Sequence, residues 1–132
     1  INKACQEVLA KGLADMGVLT VSAEESMKPE VGLHRRWTLH GVSHHLGLDV
    51  HDCEHARQDM YRDGVLQEGM VLTVEPGLYI QPDDELFAPE YRGIGIRIED
   101  DVIVTADGCR NLSEDIPRHP DAIEAWMASI LG

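Results

Sequence analysis

Positively charged side chains are scarce in this chain of 132 residues. It has 11 lysines and arginines against 24 aspartates and glutamates, which gives a formal net charge of −13. Because so acidic a protein repels phosphate groups, nucleic acid and anionic membrane surfaces are not expected partners. The same charge suits a cationic substrate or bound metal cations, and it does not choose between them.

Cysteines and long apolar runs are also few. Cys5, Cys53 and Cys109 are irregularly spaced, so they provide neither a disulfide framework nor a CxxC zinc site. A reducing, cytoplasmic location is therefore expected. Cys53 lies beside a histidine-rich segment, where we interpret it as a bystander thiol. No apolar run is long enough to cross a membrane, and no secretory signal is recognisable.

Histidine, in contrast, is concentrated in one segment. Six of the seven histidines fall between residues 34 and 55. Histidines at this density usually bind a metal, transfer protons, or both. His40 and His44 would share a face if the segment were helical, whereas spacing alone does not place His51. The remaining histidines of the segment are interpreted as surface or supporting residues: His34, His45 and His55.

Hydrophobic periodicity predicts a helix near each end of the chain. Apolar residues recur at helical spacing over residues 2–16, and Gly17 is the expected C-cap. A second helix is predicted from about 120 to 131. Its apolar stripe consists of Ile123, Trp126, Met127 and Ile130.

Two strands are predicted between these helices, over residues 69–80 and 93–105. Their simplest arrangement is an antiparallel hairpin, with a bulge or bend at Pro76-Gly77. The other segments are expected to be loops or irregular connections, namely residues 53–68, 81–92 and 106–119.

Carboxylates interrupt both predicted strands. Glu75 directly follows an aliphatic run, and Glu99 shares a strand face with Arg97. Such carboxylates are costly to bury unless they are paired or coordinated. A surface ion pair between Arg97 and Glu99 would account for Glu99 alone. Two carboxylates on adjacent strands can instead converge on a cation, and an added imidazole favours Mn, Co, Zn or Fe.

Several motifs occur together in one order: His40-Gly-Val-Ser-His44, Leu46-Gly-Leu-Asp-Val-His51-Asp52, Glu75-Pro-Gly and Gly95-Ile-Arg97-Ile-Glu99-Asp100. This set resembles the Xaa-Pro aminopeptidases (aminopeptidase P type) of the creatinase/methionine aminopeptidase group, metallopeptidase family M24. The resemblance covers nearly the whole chain and is clearest over residues 40–130. It implies an α+β fold, part of the pita-bread fold, in which helices flank an antiparallel sheet.

The resemblance also implies a mechanism with two divalent metal ions. Manganese is the expected metal, with cobalt or zinc possible, and the pair activates a bridging water for attack on a peptide carbonyl. The implied metal ligands are His44, Glu75 and Glu99, the last of which bridges both ions. His40 and His51 would stabilise the tetrahedral intermediate or move protons, and Arg97 would orient the carboxylates.

Two aspartate ligands of the family have no counterpart before His40. We therefore expect residues 1–132 to be the C-terminal portion of the catalytic domain, without the N-terminal domain and the first half of the catalytic domain. Because anionic ligands are missing, this portion alone should show little or no peptidase activity. It should expose strand edges and apolar surface, so a homo-oligomer is expected.

The leading functional prediction is a metal-dependent aminopeptidase that releases the N-terminal residue from peptides with proline in second position. The alternatives are an Xaa-Pro dipeptidase (prolidase) and a non-catalytic peptide-binding module of the same fold. The run from Tyr91 to Arg97 favours the aminopeptidase. A structural or storage zinc site fits less well, because such sites favour cysteine and histidine over carboxylates on separate strands.

Overall fold

The computed structural model describes residues 1–132, which form four helices, two short 3-10 turns and five strands. The helices are α1 (Asn2–Asp15), α2 (Ala23–Ser26), α3 (Gln58–Tyr61) and α4 (Pro120–Leu131), and the 3-10 turns span Leu33–Arg36 and Pro89–Tyr91. The strands are β1 (Val71–Val74), β2 (Gly77–Tyr79), β3 (Gly95–Arg97), β4 (Asp100–Thr105) and β5 (Gly108–Asn111). None of the helices combines the length and the hydropathy that a membrane crossing needs.

The predicted terminal helices are confirmed as α1 and α4. Helix α1 ends at Asp15 with Met16 as its C-cap, and Gly17 follows in the left-handed region with φ of +74°. Glycine adopts this conformation without steric cost, which explains why the helix stops there. Ala10 and Leu13 on the inner face of α1 are fully buried.

The predicted hairpin is also confirmed, and its register is continuous. Strands β1 and β4 pair from Val71↔Ile103 to Val74↔Asp100, and β2 and β3 pair from Gly77↔Arg97 to Tyr79↔Gly95. Each step forward along β1 and β2 is matched by one step back along β4 and β3, including the steps between the two ladders. No residue is therefore inserted between the two ladders.

Of the two alternatives expected at Pro76-Gly77, a bulge or a bend, the bulge is therefore absent. The ladder is interrupted there because Pro76 has no N–H to donate, but the register continues through the interruption. Ile98 N–H donates to Pro76 O at 3.4 Å, which agrees with their being opposite residues. The same register places Glu75 directly opposite Glu99.

After the 3-10 turn Leu33–Arg36, the histidine-rich segment is not helical, which corrects the helical alternative for His40 and His44. Residues 42–46 run antiparallel along the free edge of β1. Their backbone bonds to that strand are Leu46 N–H to Val71 O, Thr73 N–H to His44 O and Glu75 N–H to Val42 O, at 2.8 to 3.0 Å. β1 is thus a central strand, since β4 covers its other edge. Pairing with β1 satisfies the backbone N–H and C=O groups of this segment, which in a helix would bond to one another.

All three segments predicted to be irregular contain some regular structure, and residues 81–92 include the 3-10 turn Pro89–Tyr91. Residues 106–119 include β5, which pairs with β4 from Val102↔Asn111 to Thr105↔Gly108. The Asp107-Gly108 turn signal was present in the sequence, but the strand Gly-Cys-Arg-Asn lacks an apolar alternation. Residues 53–68 include the single turn of α3.

The hydrophobic core lies on one face of the hairpin. It consists of Leu13, Trp37, Ile80 and Phe87, with Val18, Leu19 and Leu78 packed against it. The Trp37 and Phe87 rings meet edge to face at 5.5 Å between centroids. Only 15 of the 132 residues are buried, so each core side chain carries a large share of the apolar burial.

Apolar surface elsewhere remains exposed. Ile94, Ile96 and Ile98 of the hairpin are 42 to 59% exposed, and Trp126, Met127 and Ile130 of the α4 stripe are 49 to 62% exposed. The stripe predicted on α4 is thus present on the helix but does not face the core of this chain.

Two aspartates form ion pairs that stabilise the fold. The Arg36 guanidinium, with help from the Trp37 indole, lowers the pKa of the buried Asp84 carboxyl against the opposing effect of burial. Arg118 likewise lowers the pKa of Asp100, assisted by Ser113.

These pKa shifts predict a loss of stability in acid. A carboxyl whose pKa is lowered by folding stabilises the protein above its unfolded-state pKa of about 3.9, and that stability disappears as pH falls through the folded value. The free energy of unfolding, measured by urea titration, should therefore fall below about pH 4. Asp100→Asn should be less stable at pH 7 and show a shallower acid loss. Identical slopes for the two proteins would contradict the assignment to Asp100.

Candidate metal centre

Two carboxylates meet across the hairpin. In a strand pair, directly opposite residues point to the same face, so Glu75 and Glu99 project together from the face opposite the core. Glu75 is 9% exposed, whereas Glu99 is exposed. Like charges directly opposite each other are destabilising unless a cation lies near them. The paired carboxylates therefore favour a positive charge close to both of them.

His44 reaches the same place from the segment beside β1. Its Nε2 lies 3.2 Å from Glu75 Oε1, and its Nδ1 lies 3.0 Å from the carbonyl oxygen of His45. If Nδ1 donates its hydrogen to that carbonyl, Nε2 carries a lone pair that faces a carboxylate oxygen. Two acceptors at this distance repel each other unless a proton or a metal ion lies between them.

One ligand atom from each of His44, Glu75 and Glu99 lies within 4.8 Å of the other two. An imidazole nitrogen with two carboxylates is a donor set that suits Mn, Co, Zn or Fe. These residues therefore fit a divalent cation.

Arg97 lies beside this cluster, but its partner differs from the simple surface interpretation. Its Nε is 3.9 Å from Glu75 Oε2, across the strand pair, and it makes no ion pair with Glu99. The guanidinium adds a positive charge next to the buried carboxylate of Glu75. This position agrees with an orienting role for Arg97.

His51, which spacing could not place, lies at the edge of the cluster. Its ring meets the His44 ring edge to face, with centroids 4.4 Å apart. The His51 side chain is 64% exposed and its Nδ1 lies 3.9 Å from Glu54. It is therefore free to face a molecule bound against His44.

His40 is not one of the three clustered ligands, and its ring contacts Tyr79, a residue that the sequence interpretation missed. His40 Nε2 and the Tyr79 hydroxyl are 2.7 Å apart, and His40 Nδ1 lies 2.6 Å from Gly41 O. The Tyr79 ring lies over Gly77 and Gly95, where a Cβ would come within 2.6 Å and 2.9 Å of tyrosine atoms. Glycines at alternate positions of paired strands were the available signal, because they mark close approach of another group.

The supporting histidines lie outside this centre. His34 is buried and bonds to Ser26, the His45 ring packs against Tyr61 at 5.0 Å, and His55 is exposed. Cys53 is also exposed, and its Sγ faces Asp52 at 3.6 Å. It is not among the clustered ligands, in agreement with its interpretation as a bystander.

The chain is similar in sequence to proteins of one known family. The family model described as metallopeptidase family M24 matches residues 1–106. The chain is 57% identical over 131 residues to Xaa-Pro aminopeptidase 1 of Streptomyces coelicolor. This alignment covers 99% of this chain and 26% of that protein.

Two solved structures are similar in fold. Zinc-substituted aminopeptidase P of Escherichia coli in complex with product has a TM-score of 0.82 and 45% identity, over 96% of this chain and 28% of that chain. An aminopeptidase of Pseudomonas aeruginosa has a TM-score of 0.84 and 40% identity, over 97% and 28% respectively. The predicted α+β, pita-bread type of fold is thus confirmed. The chain spans about a quarter of the length of the curated relative.

Proposed function

The chain belongs to metallopeptidase family M24, and from this premise we propose that it forms part of a metal-dependent aminopeptidase. The proposed reaction releases the N-terminal residue from peptides with proline in second position. The convergence of His44, Glu75 and Glu99 carries the proposal, because their ligand atoms lie within 4.8 Å of one another although the residues are distant in sequence. The similarity to Xaa-Pro aminopeptidase 1 of Streptomyces coelicolor supports the choice of substrate.

The family implies divalent metal ions, and we propose that His44, Glu75 and Glu99 are ligands to a pair of them. The zinc-substituted Escherichia coli structure supports a divalent cation, and we propose manganese as the metal of this protein. Bound divalent ions activate a water molecule and polarise the peptide carbonyl. Glu99, the exposed carboxylate, would be the third protein group that holds the ions.

The other residues of the site would handle substrate and protons. His51 presents an exposed imidazole against the His44 ring, a position suited to moving a proton to or from bound substrate. His40 is the second proposed substrate-facing histidine, and its bond to Tyr79 fixes the direction of its ring. Arg97 would hold the Glu75 carboxylate in the orientation that ligation requires.

We further propose that residues 1–132 form the C-terminal portion of a larger catalytic domain. The chain covers 26% of the length of the Streptomyces relative, which supports a longer parent protein. Two aspartate ligands would then come from outside the chain, and the chain alone would have little activity. The exposed isoleucines of the hairpin and the α4 stripe support the further expectation of a homo-oligomer. The three free cysteines support a cytoplasmic location.

The two alternatives remain distinct from this proposal. A prolidase would use the same metal centre but accept only Xaa-Pro dipeptides. A non-catalytic module would bind peptide without hydrolysing it. No contact within the chain favours either alternative, whereas the run from Tyr91 to Arg97 and the named relatives favour the aminopeptidase.

One assay separates the three functions. The full-length gene product that contains this chain is incubated with manganese and with peptides Xaa-Pro, Xaa-Pro-Xaa and Xaa-Ala-Xaa, and the released N-terminal residue is quantified. We expect manganese-dependent release from the tripeptide with proline and none from the tripeptide with alanine. Cleavage of the dipeptide alone would establish a prolidase. Peptide and metal binding without cleavage would establish the module.

A further inference from the structure

Thr73 occupies a buried position between two of the proposed ligands. It lies in the middle of β1, is fully buried, and points to the same face as Glu75. Its hydroxyl oxygen accepts a hydrogen bond from the His44 backbone N–H at 3.0 Å. The same hydroxyl donates to Glu75 Oε1 at 3.3 Å.

A hydroxyl group has one hydrogen to donate and lone pairs with which to accept. Both capacities are used here, so the hydroxyl joins the backbone of one proposed ligand to the carboxylate of the other. Thr73 N–H also donates to His44 O at 2.9 Å, which fixes the two backbones side by side. No other side chain in the structure bonds to both ligand residues.

The geometry of Glu75 follows from this contact. Oε1 lies between the Thr73 hydroxyl and His44 Nε2, at 3.3 Å and 3.2 Å. Oε2 then faces the Arg97 guanidinium. A carboxylate that accepts from a fixed hydroxyl keeps one orientation, so little rotational freedom remains to be lost when it coordinates an ion.

We propose that Thr73 is a positioning residue which preorganises His44 and Glu75 for a divalent cation. Its hydroxyl holds the imidazole-bearing segment and the carboxylate in one fixed relation before any ion binds. The inference rests on the proposed metal centre and deepens it by naming the group that sets the ligand geometry. Strand packing alone requires only a β-branched side chain at this position, which valine would satisfy.

The test measures metal affinity in the full-length gene product. Thr73→Val keeps the branched shape but removes the hydroxyl, whereas Thr73→Ser keeps the hydroxyl and removes a methyl group. Binding of manganese and zinc is measured by titration calorimetry, with no peptide present. We expect Thr73→Val to bind about 10 to 100-fold more weakly, as is typical for loss of a group that supports a metal ligand. Thr73→Ser should restore affinity to within a few-fold of the original protein.

Thr105→Val is the matched control. Thr105 also lies in a strand and donates its hydroxyl to a carboxylate, Asp107 Oδ1 at 3.1 Å, but at the far end of β4. Its replacement should leave metal affinity unchanged. Thermal unfolding of the three metal-free variants shows whether any change in affinity follows from loss of the fold.

The outcomes separate this inference from the proposed function. If the original protein binds no divalent ion at the three ligands, the proposed metal centre itself is wrong. If it binds the ion and Thr73→Val binds equally well, the positioning role is wrong while the metal centre stands. Weaker binding by Thr73→Val and Thr73→Ser alike, with equal losses of thermal stability, would mean a purely structural role and would also overturn the inference.

Discussion

Replacing Glu75 by glutamine should abolish metal-dependent peptide hydrolysis. The amide keeps the shape of the carboxylate but removes the negative charge that faces His44 Nε2 at 3.2 Å and Arg97 at 3.9 Å. Bound metal lowers the barrier to carbonyl hydrolysis by several kcal/mol. Since about 1.4 kcal/mol corresponds to a factor of ten in rate, kcat/KM should fall by about a thousandfold or more.

The measurement compares Glu75→Gln with Glu90→Gln in the full-length gene product. Glu90 is an exposed glutamate in the second 3-10 turn and belongs to no cluster of candidate ligands. Metal affinity and peptide hydrolysis should both collapse in Glu75→Gln and stay unchanged in Glu90→Gln. Hydrolysis at the original rate in Glu75→Gln would remove Glu75 from the metal centre.

The second large effect concerns the core. Trp37→Ala should destabilise the chain by about 3 to 5 kcal/mol, the usual cost of truncating a buried aromatic residue to alanine. Trp37 is 2% exposed, packs edge to face on Phe87, and donates its indole N–H to the buried Asp84 at 2.7 Å. Domains of this size are stable by only about 5 to 15 kcal/mol in total. A loss of this size should therefore leave a substantial unfolded fraction.

Two further variants, made like Trp37→Ala in the full-length gene product, make the result specific. Trp37→Phe retains most of the packing but leaves Asp84 without its indole donor, so a smaller loss of about 1 to 3 kcal/mol is expected. Trp126→Ala removes the other tryptophan, which is 51% exposed on α4, and should change stability by about 0.5 kcal/mol or less. Urea unfolding followed by far-ultraviolet circular dichroism gives the free energies. Equal losses for the two alanine variants would show that Trp37 does not anchor the core.

The hairpin between residues 71 and 103 was predicted from the sequence in part. Alternating apolar residues predicted the strand over 93–105, because a period of two is specific to strands, and an aliphatic run predicted the strand over 69–80. An antiparallel hairpin was the simplest way to pair them. The bulge was wrong because proline and glycine indicate an interrupted ladder, and an interruption need not insert a residue. Strand β5 was missed because neither of its faces is apolar, so its pairing with β4 leaves no hydrophobic pattern.

The residues of the metal centre likewise include some that the sequence predicted and some that it missed. His44, Glu75 and Glu99 were chosen by residue type and motif, and the structure brings their ligand atoms together. Thr73 and Tyr79 were missed, because a threonine and a tyrosine in a strand are ordinary residues there. Their importance depends on which side chains lie opposite them in space.

By itself, the sequence determined which metal-binding side chains this protein has and the order in which they occur. Its histidines and strand carboxylates, and the order in which they occur, predicted a divalent-metal centre of the metallopeptidase type. Only the tertiary structure decided how the ligands meet: one register places Glu75 opposite Glu99, and an extended segment brings His44 beside Thr73. The physical reason is that residue types fix which donors exist, whereas strand pairing between distant segments fixes the distances between them.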